Sequence, residues 1–312
     1  ATWRRRSRSS NSVQDDRSSD GSEAGGDDEC TGDTRGSSGV DEHGDPARGS
    51  SEPADHNATI EDDTAGDQGG RKRLEVALLV HDGREYLLEP GTEFGTDLGV
   101  LEIPEDVRAG QTIETHLGEA FAVREPRGPD LFDHFERTGA PMMPRDIGLV
   151  VGHTGACASD RILDAGTGTG VLAAYLGRIG ARVDSFERDA EFAVVARENM
   201  SIAGVEQQVT VHTGDLLEEI DSLAAGEPFD LLTLDTEDAP AIVESAPELL
   251  VAGGYVAVYS PFIENSRKTV AAAAEVGLSE IETIETIQRE MQFDDRGSRP
   301  STAGVGHTGY LT

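Results

Sequence analysis

The segment Asp164-Ala165-Gly166-Thr167-Gly168-Thr169-Gly170 follows directly on the apolar run Arg161-Ile162-Leu163, and it limits the possible fold more than any other stretch of the chain. Glycines at alternate positions allow backbone conformations that a Cβ forbids and let the main chain come close to a ligand. Helical periodicity begins near Val171, so a helix there would direct its free N–H groups at the turn. Such a strand, turn and helix either cradle a nucleotide-like ligand or form a purely structural connection. The surrounding pattern separates the two readings.

Beyond Pro144 the apolar pattern predicts a helix over Asp146–Gly152, a strand over Arg161–Asp164, a helix over Val171–Arg178, a strand over Ala181–Glu187 and a helix over Asp189–Ala203. Strands over Gln208–Gly214 and Phe229–Asp235, a helix over Ala239–Leu250, a strand over Tyr255–Tyr259, a helix over Glu264–Val276 and two terminal strands complete it. This alternation predicts an α/β fold with a doubly wound, mainly parallel sheet. Its ligand belongs at the carboxyl ends of the strands. Four successive predicted strands end there in an acid: Asp164, Glu187, Asp215 and Asp235. An acid at the second strand end is where the ribose hydroxyls of a nucleotide are held, and the third could accept from an adenine amino group. Taken singly, each could instead cap a helix or sit solvated on an acidic surface. The dinucleotide form of the glycine motif would need glycine at 171, where the chain has Val171. Gly-x-Gly-x-Gly suits S-adenosylmethionine instead.

Several segments together carry a family resemblance: Thr138-Gly-Ala-Pro-Met-Met-Pro144-Arg-Asp-Ile-Gly148, the Asp164–Gly170 turn, Glu187, Asp215, Leu234-Asp235 and the ending Gly306-His307-Thr308-Gly309-Tyr310. On these residues the chain from about Leu74 to Thr312 resembles the archaeal TrmI family of tRNA (adenine-N1)-methyltransferases, within the class I (Rossmann-like) S-adenosylmethionine-dependent methyltransferase fold. The glycine turn is shared by many methyltransferases, whereas the Pro144-Arg145-Asp146 and His307-Thr308-Gly309 segments are more specific to this family. The resemblance implies that Gly166, Thr167, Gly168, Thr169, Gly170 and Val171 wrap the cofactor's methionine part. Glu187 would take the ribose hydroxyls and Asp215 the adenine amino group, with Phe192 and Leu216 flanking that adenine. Asp235 falls at the catalytic acid position, bordering the cofactor as well.

The reaction it implies is methylation of N1 of an adenine in the tRNA T-loop, at position 58 with 57 as a further candidate. That nitrogen is itself the nucleophile, so the enzyme must orient it in line with the methyl donor rather than supply a Ser or Cys. An acceptor on the N6 amino group makes N1 more electron-rich and stabilises the cation that forms. Met143, Pro144 and His307 are the substrate-side candidates. Two departures stand out: the family's Leu-Pro-x-Pro after the catalytic Asp is replaced by Thr236-Glu237-Asp238-Ala239-Pro240, and Met143 stands where bacterial relatives often have an aromatic.

Ahead of the catalytic part, Leu74–Val80, the turn Asp82-Gly83 and Tyr86-Leu87-Leu88 read as a hairpin, followed by short runs at Gly99–Ile103, Thr112–Leu117 and Ala120–Arg124. They predict a small N-terminal antiparallel β domain over residues 71–129, a candidate tRNA contact, with the methyltransferase domain over 130–312. A connecting helix over Asp130–Thr138, capped by Asp130, is expected between them. Residues 1–70 contain no Leu, Phe, Tyr or Met and are rich in Ser, Gly, Asp and Glu, so they are expected to form a disordered acidic tail.

The formal net charge is -34; the first 70 residues hold 17 acids against 7 arginines, which leaves -24 on the remaining 242. Only Lys72 and Lys268 are lysines, the other 24 cations being arginines. Such replacement of lysine by carboxylates is expected of a protein that works at high salt, where a Debye length of about 3 Å screens self-repulsion. Cys30 and Cys157 offer neither a disulfide framework nor a metal site. No apolar span suggests a membrane, and a cytoplasmic location is expected. Acidity of this degree repels RNA at long range, so contact with tRNA would fall to local cationic side chains: Arg71, Lys72 and Arg73 with Arg124, Arg127, Arg137 and Arg145. The rival functions are a methyltransferase of protein (isoaspartyl-like) or small molecules, and a catalytically idle tRNA-binding subunit. The resemblance also implies a homo-oligomer, a tetramer.

Overall fold

The computed structural model describes residues 6–7, 73–302, 304 and 306–312. Of the expected tail, only Arg6 and Ser7 fall among these; Cys30, Arg71 and Lys72 lie outside them. Strands β1 (Arg6–Ser7), β2 (Ala77–His81), β3 (Arg84–Leu88), β4 (Glu93–Thr96), β5 (Gly99–Glu102), β6 (Thr112–Glu114) and β7 (Ala120–Arg124) come first. A five-stranded antiparallel sheet runs β1-β3-β2-β7-β6, and β4 pairs with β5 alone. Asp82 and Gly83 turn the β2–β3 hairpin with φ of 45° and 73°, the positive pair that a tight two-residue turn demands. Phe121, Leu79 and Leu101 fill the module's own core, while Val76, Leu78 and Leu87 belong to the core of the α/β part with Leu131 and Phe135. The module therefore shares a core with the α/β part that follows, and the described residues from 73 onward form one compact unit.

The α/β part follows as α1 (Gly128–His134), α2 (Pro144–Thr154), β8 (Arg161–Ala165), α3 (Val171–Arg178), β9 (Arg182–Glu187), α4 (Ala190–Ala203), β10 (Val209–Thr213), α5 (Leu216–Ala224) and β11 (Phe229–Leu234). It ends with α6 (Ala239–Val243), α7 (Ala246–Leu249), β12 (Leu250–Ser260), α8 (Ile263–Glu275), β13 (Ile284–Glu285), β14 (Met291–Asp294), β15 (Gly297–Pro300) and β16 (Tyr310–Leu311). Seven strands form the central sheet in the order β10-β9-β8-β11-β12-β16-β13. Pairing is parallel from β10 to β12, and β16 runs antiparallel to both its neighbours. From β8 the chain builds outward to β9 and β10, then crosses back to β11, so the carboxyl ends of β8 and β11 form the topological switch point where such sheets bind ligands.

Local chemistry shifted several boundaries. Helix α1 starts two residues ahead of Asp130, because Pro129 fits a first helical turn. Asp130 is not the cap: it sits at the third position, and its Oδ2 accepts from Arg127 N at 2.7 Å. The expected helix over Ala239–Leu250 is two short ones, since Pro247 lies in the first turn of α7 and cannot donate to a continuous ladder. Helix α5 occupies a stretch read only as a link between strands, and four short strands rather than two follow α8.

Candidate active site

A cleft of about 610 Å³ opens at the switch point. Its floor is the glycine turn, whose three glycines all have positive φ: 90° at Gly166, 52° at Gly168 and 83° at Gly170. A Cβ on Gly166 would lie 2.1 Å from the Asp235 carbonyl oxygen. That contact brings the β8 turn against the end of β11, an approach only glycine allows. Gly170 caps α3 over Met200, whose Cε would be 2.6 Å from an added Cβ. In front of Gly168 an added Cβ would meet nothing closer than 3.8 Å, so this face of the turn is open to a ligand.

The four rim acids differ in what holds them. Asp164 is buried within β8 and accepts from Ser185 Oγ at 2.5 Å and Thr233 Oγ1 at 2.6 Å. Burial nevertheless raises its pKa, against the lowering by those two hydroxyls. Glu187 is oriented by two backbone amides, Gly168 N to Oε2 at 2.8 Å and Asp189 N to Oε1 at 3.0 Å. Asp215 caps α5, its Oδ1 accepting from Leu217 N at 3.0 Å. Asp235, directly after β11, receives no hydrogen bond on its carboxylate among the described residues. Desolvation, with the nearby Asp164 charge adding to it, pushes its pKa up to about 7.

Gly166, Thr167, Gly168, Thr169, Val171, Glu187, Phe192, Asp215, Leu216 and Asp235 all line this cleft. Gly170 does not; it acts from beneath as the helix cap. Seven of the lining residues are carboxylates and only Arg188 is cationic. Arg188 bridges from the end of β9 to the loop after Asp235, pairing with Glu237 at 3.1 Å and Asp238 at 3.2 Å. The altered loop is thus held by ion pairs where the resembled family has prolines.

The substrate-side candidates lie elsewhere. Met142, not Met143, lines the cleft, as part of the segment Thr138–Met142. Met143 is the N-cap of α2 and Pro144 its first residue. His307 is exposed, set between Glu285 Oε1 at 2.7 Å and the Pro261 carbonyl at 3.0 Å, and these two acceptors raise its pKa, the carbonyl contributing most. The adjoining residues are joined by Arg145, which donates to Thr308 Oγ1 at 3.1 Å and stands 3.5 Å from Asp146 Oδ1. Tyr259 donates to Asp146 Oδ2 at 3.3 Å. Burial is the largest cause pushing its hydroxyl up to about 12, and the Asp235 charge also reaches it. Sequence reasoning passed over Tyr259, since a tyrosine closing an apolar strand carries no distinguishing signal.

The candidate RNA-facing arginines are largely engaged within the fold. Arg73 donates to the Glu105 carbonyl, Arg124 pairs with Asp130 at 3.5 Å and Arg127 with Glu125 at 3.8 Å. Arg137 lies over the Phe132 ring at 4.4 Å. Among the described residues no group of His, Cys, Asp and Glu is arranged to hold a metal ion, and no helix is long and apolar enough to cross a membrane.

Residues 136–299 match the family described as tRNA methyltransferase complex GCD14 subunit. The chain is 34% identical over 267 residues to the tRNA (adenine(57)-N(1)/adenine(58)-N(1))-methyltransferase TrmI of Methanocaldococcus jannaschii, covering 75% of this chain and 93% of that protein. It is 29% identical over 244 residues to the tRNA (adenine(58)-N(1))-methyltransferase TrmI of Thermus thermophilus, covering 75% and 94%. Among solved structures, an S-adenosylmethionine-dependent O-methyltransferase from Thermotoga maritima superposes with a TM-score of 0.65 at 26% identity, covering 77% of this chain and 92% of that one. The tRNA (m1A58) methyltransferase TrmI from Aquifex aeolicus gives a TM-score of 0.59 at 23% identity over 77% and 96%, a likeness of fold.

Proposed function

The chain belongs to the TrmI family of tRNA (adenine-N1)-methyltransferases, and from that premise we propose how its own residues carry out the S-adenosylmethionine-dependent methylation of N1 of a tRNA adenine. The carrying observation is Asp235: of the four rim acids it alone lacks a hydrogen-bond donor among the described residues, and it lines the cleft together with the glycine turn at the switch point. When bound, S-adenosylmethionine supplies a methyl group made electrophilic by its sulfonium charge. Glu187, held by two amides, keeps lone pairs for the ribose hydroxyls. Asp215 has Oδ2 left for the adenine amino group, between Phe192 and Leu216. The surplus of carboxylates in the cleft suits a cationic cofactor.

Asp235 accepts a hydrogen bond from the target N6 amino group, which draws electron density toward N1 and stabilises the positive ring. Its ionised form does this best, so its raised pKa makes methylation depend on pH near neutrality. We assign the target to the T-loop, position 58 with 57 as a second site, after the relatives' names. Incubation with labelled S-adenosylmethionine and unmodified tRNA in molar KCl, followed by mapping of the methyl group, tests this reading. Label on protein or small molecules alone, or no label on tRNA, would reject it.

We further read the enzyme as cytoplasmic and adapted to high salt, on its net charge of -34 and its two lysines. Thermal unfolding in rising KCl should then show a midpoint that climbs with salt, and a flat response would count against it. A homotetramer is consistent with the exposed Met291 and Phe293 of the β14–β15 hairpin, apolar surface that a subunit contact would cover. The β module is proposed as a tRNA contact.

A further inference from the structure

Asn199, on α4, has no exposed surface. A buried primary amide is costly unless its donors and acceptor are met. Nδ2 donates to the Thr169 carbonyl at 2.9 Å and to the Glu136 carbonyl at 3.0 Å, and Oδ1 accepts from Glu136 N at 3.2 Å. The facing groups settle the orientation of the amide, since two carbonyls require N–H and one N–H requires oxygen. Packing alone does not call for an amide here: the rest of the buried face of α4 is Ala193, Ala196, Met200 and Ala203.

The bonds join segments 63 and 30 positions from Asn199 in the sequence. One is the glycine turn. The other is at Glu136, two residues ahead of the Thr138–Met142 segment that lines the cleft. A second tie runs alongside, from Thr138 N to Thr169 Oγ1 at 3.2 Å, with the two threonine hydroxyls 3.3 Å apart.

We propose that Asn199 is a positioning residue that couples the cofactor turn to the segment 136–142, so that ordering of one wall of the cleft orders the other. This rests on reading the cleft as the cofactor site. Coupling of this kind is reciprocal: a ligand on the glycine turn must strengthen tRNA binding by the same factor as tRNA strengthens it.

The test uses the full chain in KCl. It measures the Kd of S-adenosylhomocysteine, and the Kd of tRNA with and without it, for the parent protein and for Asn199→Ala, Asn199→Asp, Thr169→Val, Glu187→Ala and Leu249→Ala. Asn199→Ala is expected to weaken S-adenosylhomocysteine binding about tenfold and to bring the ratio of the two tRNA affinities to one. Asn199→Asp should behave alike, because a carboxylate cannot donate to two carbonyls. Thr169→Val should lower the ratio part of the way. Leu249→Ala, in a separate buried cluster with Leu163, Leu232 and Val243, should lower the melting temperature and leave the ratio at its parent value, which separates coupling from general destabilisation. A parent ratio of one, or a parent-like ratio in Asn199→Ala, overturns the proposal. If the Asn199 variants do not fold, an unchanged ratio in Thr169→Val overturns it. Glu187→Ala distinguishes the deeper failure: if it binds S-adenosylhomocysteine like the parent, the cleft reading itself falls.

Discussion

The glycine-turn flank of the cleft and the C-terminal structure beside Asp235 are held by different forces. On the first, the main chain does the work: Gly166 sits against the Asp235 carbonyl, Asp235 N donates to the Ala165 carbonyl at 2.9 Å, and Glu187 is aimed by two amides. On the second, side chains do it: Arg145 to Thr308, Tyr259 to Asp146, and His307 between Glu285 and the Pro261 carbonyl. At Gly166 the backbone-built flank cannot accept even a methyl group, and its main-chain hydrogen bonds have little to lose to salt or pH. A flank built from ionisable side chains accepts changes of shape more readily, and responds to charge.

The most severe way to probe that contrast is Gly166→Val. Its side chain would enter the space of the Asp235 carbonyl, so cofactor binding should fall by more than about 100-fold, or ~2.7 kcal/mol, by calorimetry at any salt concentration. Binding within threefold of the parent would show that the backbone flank is not rigid.

Next comes Asp235→Asn, for which methylation should drop about 10²–10⁴-fold while cofactor affinity changes little. The parent rate should rise with pH to a plateau above about 7, where Asp235 is ionised, and this rise should be absent from the residual activity of the variant. The stability sign is opposite. A carboxyl whose folded pKa is raised contributes stability that is fully present below its unfolded pKa near 3.8 and lost as pH rises through about 7. At pH 8 the Asn variant should therefore melt about 2–4 °C higher than the parent, as ~1 kcal/mol would give. A lower melting temperature at pH 8 would contradict the assigned burial cost.

On the side-chain flank, Arg145→Gln removes the link to Thr308 and leaves the buried Asp146 without its cation. A loss of about 1–3 kcal/mol in stability is expected, with the KM for tRNA raised and cofactor Kd unchanged. A change in cofactor Kd with none in KM would invert the division of labour between the flanks. The smallest effect should come from Arg188→Gln. Its two ion pairs are exposed and screened by solvent, so cofactor Kd should shift by less than about fivefold and converge on the parent value in molar KCl. A shift that persists at high salt would mean that Arg188 touches the cofactor directly.

Much of the site was legible in advance because its signals are local. The Asp164–Gly170 turn, Glu187, Asp215 and Asp235 each close or follow a strand, so a period-two pattern and a count of strand ends placed them at one rim. Asp215 shows the limit of that reading, since it is also a helix cap, the competing interpretation of any single rim acid. Met143, Pro144 and His307 are substrate-side candidates only by resemblance, and the fold sets them in helix capping and in a charged tie rather than in the cleft. Asn199 and Tyr259 carried no local signal. Their partners are distant in sequence, and an amide or a phenol in an apolar pattern looks the same whether it is central or incidental.

What the sequence determined by itself is the α/β alternation around the glycine turn, the position of that turn and the exclusion of a dinucleotide at Val171, because these depend on periodicity and on backbone freedom within a few residues. Only the tertiary structure decided which acid stays unpartnered. Ser185, Thr233 and the amides of Gly168, Asp189 and Leu217 come from separate elements and satisfy three carboxylates. Asp235 is left desolvated and without a donor among the described residues, and that inequality arises from packing, which no single segment encodes.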